Sequence, residues 1–173
     1  MAVNVKIFAT ARQGRRYVRG RNECVRDNGM IFGRKKRQIV RLLVVEDEPL
    51  VAFDTEHFLT ESEFDIVGTV DRVADAIDLI HSGTGIDLVL ADVSLFDGTG
   101  LDVARAARAR GIPVLFVTGN CPVEAAELAA GCLAKPYAQR DLLAAIDAIE
   151  AKLGGRPPKR LPGGFRLFEP RIG

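Results

Sequence analysis

The sequence predicts an α/β fold built on a parallel sheet covered on both faces. Three observations carry that prediction. Five short apolar runs of strand length alternate with five stretches of helical spacing. The connections between them are short. The strand runs are apolar almost throughout, as expected for strands buried on both sides. Parallel neighbours need crossover helices, and right-handed crossovers place those helices on alternate faces.

Regular structure begins at Ile39. Residues 39–45 read as a buried strand that ends in Glu46-Asp47-Glu48-Pro49. Pro49 suits the first turn of a helix, and residues 50–59 carry Val51, Phe53, Phe58 and Leu59 at helical intervals. Residues 65–69 form a short second strand. Residues 73–80 repeat apolar positions at Val73, Ala76, Ile77 and Ile80, and stop at Ser82-Gly83, a helix and its terminator. Residues 86–92 are the third strand, an apolar run finishing on Asp92, with a turn-rich segment over 93–100. Residues 101–110 are an Ala/Arg-rich helix closed by Gly111, and 113–118 a fourth strand ending on Thr118. Residues 122–130 allow a short fourth helix, 132–135 a fifth strand, and 139–153 a strong fifth helix.

Three segments follow. Residues 1–38 are expected to be a basic, poorly ordered extension, residues 39–153 the folded domain, and residues 154–173 a basic tail rich in Gly and Pro. Met30 offers a second start, which leaves the status of residues 1–29 open. The net charge of +1 conceals an asymmetry. Residues 1–41 hold 12 basic and 2 acidic side chains, residues 42–153 hold 7 and 20, and residues 154–173 hold 5 and 1. Basic ends on an acidic body read first as solvated tails folding back on it, and second as contacts for nucleic acid or an anionic membrane. In the tail, Phe165 and Phe168 favour docking over presentation as a recognition peptide. The apolar runs are far below the roughly 20 residues of a membrane span. The three cysteines, Cys24, Cys121 and Cys132, show no metal-ligand spacing, and a reducing cytoplasm is the expected compartment.

Four strands end on polar residues that a parallel sheet gathers at one edge. They are Glu46-Asp47, Asp92, Thr118 and Lys135. Three carboxylates in one place repel one another and call for a cation. A hard ion with oxygen ligands fits, and Mg²⁺ is the usual choice where phosphate is handled. The economical reaction is attack of the Asp92 carboxylate on a phosphoryl group to give an aspartyl-phosphate. Asp47, and Glu46 directly or through water, would hold Mg²⁺ together with Asp92 and the backbone carbonyl of Ser94. Thr118 and Lys135 would bind the phosphoryl oxygens. The Lys135-Pro136 bond is one that can be cis.

Leu43-Val44-Val45-Glu46-Asp47-Glu48-Pro49, the segment from Asp92 to Gly100, Val117-Thr118-Gly119 and Lys135-Pro136-Tyr137 together resemble the receiver domain of two-component response regulators. The resemblance covers residues 39–153. Each motif is weak alone, but four in order, each at a strand end, are specific. The Phe116-Val-Thr118-Gly119 and Lys-Pro-Tyr137 pattern is similar to an alphaproteobacterial subgroup of stand-alone receivers. The resemblance implies a flavodoxin-like (βα)5 doubly wound sheet, strand order 2-1-3-4-5. It also implies a phosphoryl donor, either a sensor histidine kinase or a histidine phosphotransfer protein. The domain would then be a signalling phosphoacceptor rather than an enzyme, acting through a downstream protein or by onward transfer in a phosphorelay. Homodimerisation through the face of the fourth helix, fifth strand and fifth helix belongs to the same implication.

The sequence departs from that family at three points. Phe96 stands where the loop usually has Pro, Cys132 where an aromatic switch residue is usual, and the interval from Thr118 to Lys135 is short, so the fourth helix should be shortened. Only a short tail follows the last helix, so no DNA-binding domain is expected there. The competing reading is a pseudo-receiver, a constitutive interaction module never phosphorylated on Asp92. A hydrolase of another Asp-nucleophile family would need a second acid two residues on, where Ser94 stands. His57 and His81 read as ordinary helix-surface residues.

Overall fold

The computed structural model describes residues 37–169. Most of the expected basic extension, with Cys24 and Met30, lies outside the described residues.

The strands are β1 (Arg41–Val45), β2 (Asp65–Val70), β3 (Leu88–Ala91), β4 (Ser94–Leu95), β5 (Gly98–Thr99), β6 (Val114–Thr118), β7 (Gly131–Ala134) and β8 (Phe165–Leu167). The helices are α1 (Pro49–Glu61), α2 (Val73–His81), α3 (Gly100–Ala109), α4 (Ala125–Leu128) and α5 (Gln139–Leu153). The main sheet runs β2-β1-β3-β6-β7-β8. Its first five strands are parallel and are the five expected, in the expected order.

Alternation along each strand divides the core in two. Leu42 and Val44 face the layer of α1 and α5, where Leu59, Leu142, Ile146 and Ile149 are buried. Leu43 and Val45 face the other layer, with Ala76, Ile80, Val103 and Ala107 from α2 and α3. Because both faces are covered, the strands carry no polar alternation, which is why they read as continuous apolar runs. Each fully buried leucine stabilises the fold by about 2 kcal/mol over an exposed one.

Two elements were not in the sequence reading, and a third detail, the shortening of the fourth helix, was expected and goes further than the 122–130 span. β4 and β5 make a two-stranded antiparallel hairpin inside the loop after Asp92. α4 is one turn of four residues, shorter than the 122–130 span allowed. It ends early because Ala129 is already extended and the Ala130 N–H donates to the Val114 carbonyl at 2.8 Å, so the chain has joined the sheet. The second new element is β8, which pairs antiparallel with β7 at the sheet edge. Gly131 makes that pairing close, since a Cβ there would lie 2.6 Å from the Phe165 ring. Phe165 joins the α1/α5 layer and Phe168 the opposite one, so the tail grips the edge from both sides.

Candidate active site

The parallel register delivers the polar strand ends to one edge. The Glu46 N–H donates to the Val70 carbonyl, and the Asp92 N–H to the Val45 carbonyl, both at 3.0 Å. The Lys135 N–H donates to the Thr118 carbonyl at 2.8 Å. These bonds extend the ladder by one residue past β1, β3 and β7. Glu46 and Asp92 are therefore fixed by backbone, at 6% and 9% exposure.

The centre is a two-carboxylate, one-ammonium cluster. Lys135 Nζ donates to Glu46 Oε2 and to Asp92 Oδ2, each at 2.7 Å. The second oxygen of each carboxylate is also engaged. The Ser94 N–H donates to Asp92 Oδ1 at 3.1 Å, and the Glu48 N–H reaches Glu46 Oε1 at 3.4 Å. The Lys135-Pro136 bond is cis.

The electrostatics follow from burial. Desolvation holds the Glu46 carboxyl above its ordinary 4.5, outweighing the hydrogen bond and charge of Lys135, while the Asp92 charge pushes the same way as burial. For Lys135 burial is again the largest influence and pulls its pKa down. The hydrogen bonds to Asp92 and Glu46 and their charges together outweigh it, and the ammonium is held above its ordinary 10.5. Both raised values describe one arrangement, a cation shared between two buried acids.

The other expected site residues lie at the same edge in different roles. Asp47 is half-buried just beyond β1. Thr118 is 3% exposed at the end of β6, its hydroxyl donating to the Asn120 carbonyl at a long 3.4 Å. Ser94 meets Asp92 through its amide. Among the described residues no group of three His, Cys, Asp or Glu side chains gathers as metal ligands. The two oxygen donors that do converge are of the hard type Mg²⁺ takes, and Mg²⁺ commonly uses one or two carboxylates and keeps several waters. The residues present therefore fit that ion.

Three residues given no site role from sequence, Asp97, Gly100 and Thr55, also contribute. Asp97 accepts from the Val73 N–H at 3.0 Å, tying the hairpin loop to the start of α2. Gly100 is forced, because a Cβ there would collide with the Asp92 backbone carbonyl. Thr55 and Tyr137 line a void of about 10 Å³ beneath Glu46 and Asp92, room for about one water. The Asp-to-helix spacing and the glycine were visible in the sequence, but nothing local marks Thr55. Phe96 projects from the hairpin at 89% exposure.

Residues 42–147 match the family described as the response regulator receiver domain. The chain belongs to that family. Receiver domains are signalling phosphoacceptors, and the site edge described above is where this one carries its acid cluster. The swarming motility regulation protein RssB of Serratia marcescens is 32% identical over 123 residues, 67% of this chain and 55% of that protein. The chain thus spans about half the length of this curated relative. A receiver domain structure from Methylobacillus flagellatus is 28% identical with a TM-score of 0.58, covering 65% of this chain and 99% of that one. The response regulator TrrA of Thermotoga maritima, solved with Mg²⁺ and BeF, shares the fold at 23% identity and a TM-score of 0.58, covering 64% and 98%. Among the described residues no helix is long and apolar enough to cross a membrane.

Proposed function

We propose that this receiver takes a phosphoryl group onto Asp92 from the phosphohistidine of a sensor kinase or phosphotransfer protein. An Asp92 carboxylate oxygen attacks phosphorus, the N–P bond breaks, and the imidazole leaves. The observation that carries the reading is the shared ammonium: Lys135 lies 2.7 Å from both Asp92 and Glu46. An acid used only as a strand cap would have no reason to share a half-buried cation with a second acid.

Glu46, Asp47, Asp92 and the Ser94 carbonyl would hold Mg²⁺, and the fold relative solved with Mg²⁺ and BeF supports that choice. When bound, the ion supplies neutralisation of the phosphoryl oxygens. Lys135 would exchange its carboxylate partners for a phosphoryl oxygen. Thr118, whose bond to Asn120 is long and readily surrendered, would donate to another. Output would be contact with a downstream protein or onward transfer.

Acetyl phosphate with Mg²⁺, followed by intact-mass measurement, tests this. Wild type should gain one phosphoryl mass and Asp92→Ala none. A gain that survives Asp92→Ala would overturn the assignment. A wild type inert to both acetyl phosphate and a kinase would favour the pseudo-receiver.

A further inference from the structure

The proposed phosphoacceptor chemistry makes no use of the two described cysteines, yet the fold assembles them. Cys121 is half-buried in the loop between β6 and α4, and Cys132 is buried on β7; both are free thiols. They join the same apolar cluster, Cys132 in its core and Cys121 packed against it. The tail closes over them. Arg166 on β8 is the register partner of Cys132 and donates through Nη2 to the Cys121 carbonyl at 3.4 Å. The pair is thus bracketed by one guanidinium, whose charge favours the Cys132 thiolate against burial and the neighbouring Cys121.

We propose that Cys121 and Cys132 form a reversible dithiol site that a peroxide converts to an intramolecular disulfide. The order of events follows from exposure. Burial, and then the neighbouring Cys121 thiol, push Cys132 up to about 12, so it keeps its proton near neutrality. The half-buried Cys121 is the accessible nucleophile, beside a positive charge. Its sulfur attacks one peroxide oxygen: an S–O bond forms, the O–O bond breaks, and the other oxygen leaves as water with the thiol proton. The Cys132 sulfur then attacks the Cys121 sulfenic acid. An S–S bond forms, the S–O bond breaks, and the hydroxyl leaves as water with the Cys132 proton. Two thiols lose two electrons in all, and one peroxide is reduced to two waters. A dithiol reductant reverses the bond by exchange.

The bond tethers the loop that follows Thr118 to the strand that leads into Lys135. On the phosphoacceptor reading, that restrains the two groups awaiting the phosphoryl oxygens. The site itself is independent of that reading and is tested without phosphorylation.

The full-length chain carrying Cys24→Ser is reduced, treated with hydrogen peroxide, capped with N-ethylmaleimide and cut with a protease specific for Glu. Glu124 and Glu127 lie between the cysteines, so the two fragments separate unless bonded. The expected result is loss of both free thiols, fragments joined at a mass lower by two hydrogens, and full reversal by dithiothreitol. Cys121→Ser, a loop substitution that leaves the core intact, should abolish the joined species. Oxidation of Cys121 to sulfinic acid while Cys132 stays a free thiol, or cross-links between two chains in place of the internal bond, would overturn the proposal.

Discussion

Lys135 Nζ lies 2.7 Å from Asp92 Oδ2, across 43 residues of sequence, and at the same distance from Glu46. On the proposed reading the ammonium stands where a divalent ion would also find its donors, and the two cations would compete. Lys135→Met removes one competitor and leaves two buried carboxylates facing each other. Without Mg²⁺ the variant should lose about 1–3 kcal/mol at neutral pH, an unpaired buried charge being costly and the side chain being partly exposed. Added Mg²⁺ should then raise its Tm more than it raises that of wild type, by mass action on a tighter site. Equal shifts in the two proteins would mean that Lys135 does not compete for the ion.

Glu46 sets the acid side of the pH profile. Its carboxyl is held above 4.5 in the fold, chiefly by burial. Between that value and its folded pKa the native state binds more protons than the unfolded chain. Stability from this group is therefore complete below 4.5 and declines as pH rises through the folded value. Glu46→Gln cannot ionise and should lack that decline. Chemical denaturation in EDTA from about pH 4 to about pH 7 should show wild type losing ground to Glu46→Gln as pH rises. A constant difference would contradict the desolvated carboxyl. Lys135 supplies the alkaline limb: its stabilisation is present below 10.5 and is lost as pH rises through its folded value.

Much of this was legible in the sequence because of where its signals sit. Strands buried on both faces leave no ambiguity of face, and each reactive residue ends a strand or comes directly after one, so a parallel order alone brings Glu46, Asp92, Thr118 and Lys135 to one edge. What was illegible depends on partners distant in sequence. β8 is three residues long among Gly and Pro, and its pairing is decided by the missing side chain at Gly131 and the ring of Phe165. The end of α4 is set by the claim of Val114 on Ala130, not by local propensity. The resting partner of Lys135 was also hidden, since a lysine reserved by chemistry for phosphoryl oxygens meets two carboxylates first.

The tail strand should prove part of the fold. Phe165 is buried against Gly131 and the α5 layer, the Ala134 N–H donates to the Gly164 carbonyl at 3.0 Å, and Lys152 holds the Phe168 carbonyl at 3.1 Å. Phe165→Ala should cost about 3–5 kcal/mol in denaturant unfolding. The Ala134 amide should also lose hydrogen-exchange protection beyond that global change, because its acceptor is on the released segment. A loss below about 0.5 kcal/mol, the range of ordinary surface substitutions, would mean the strand is dispensable.

Gly100 puts two effects in opposition, and their magnitudes decide the sign. It opens α3, so alanine there should gain up to about 1 kcal/mol of helix propensity. A Cβ at that position, however, collides with the Asp92 backbone carbonyl and crowds Val93 Cα at 3.1 Å. The neighbour is backbone and cannot rotate away, and overpacking of this kind costs about 1–3 kcal/mol. Gly100→Ala should therefore be net destabilising by about 1–2 kcal/mol, with the relief taken by Asp92 itself. A nucleophile displaced by a fraction of an ångström should take up acetyl phosphate about tenfold or more slowly, even where the protein remains folded. Gly111→Ala is the control: its φ of +69° makes alanine strained, but nothing lies within 4 Å and the site is remote. It should lose about 1 kcal/mol and keep the wild-type phosphorylation rate. If the two variants lose stability and rate in parallel, the collision at Asp92 is not what makes Gly100 necessary.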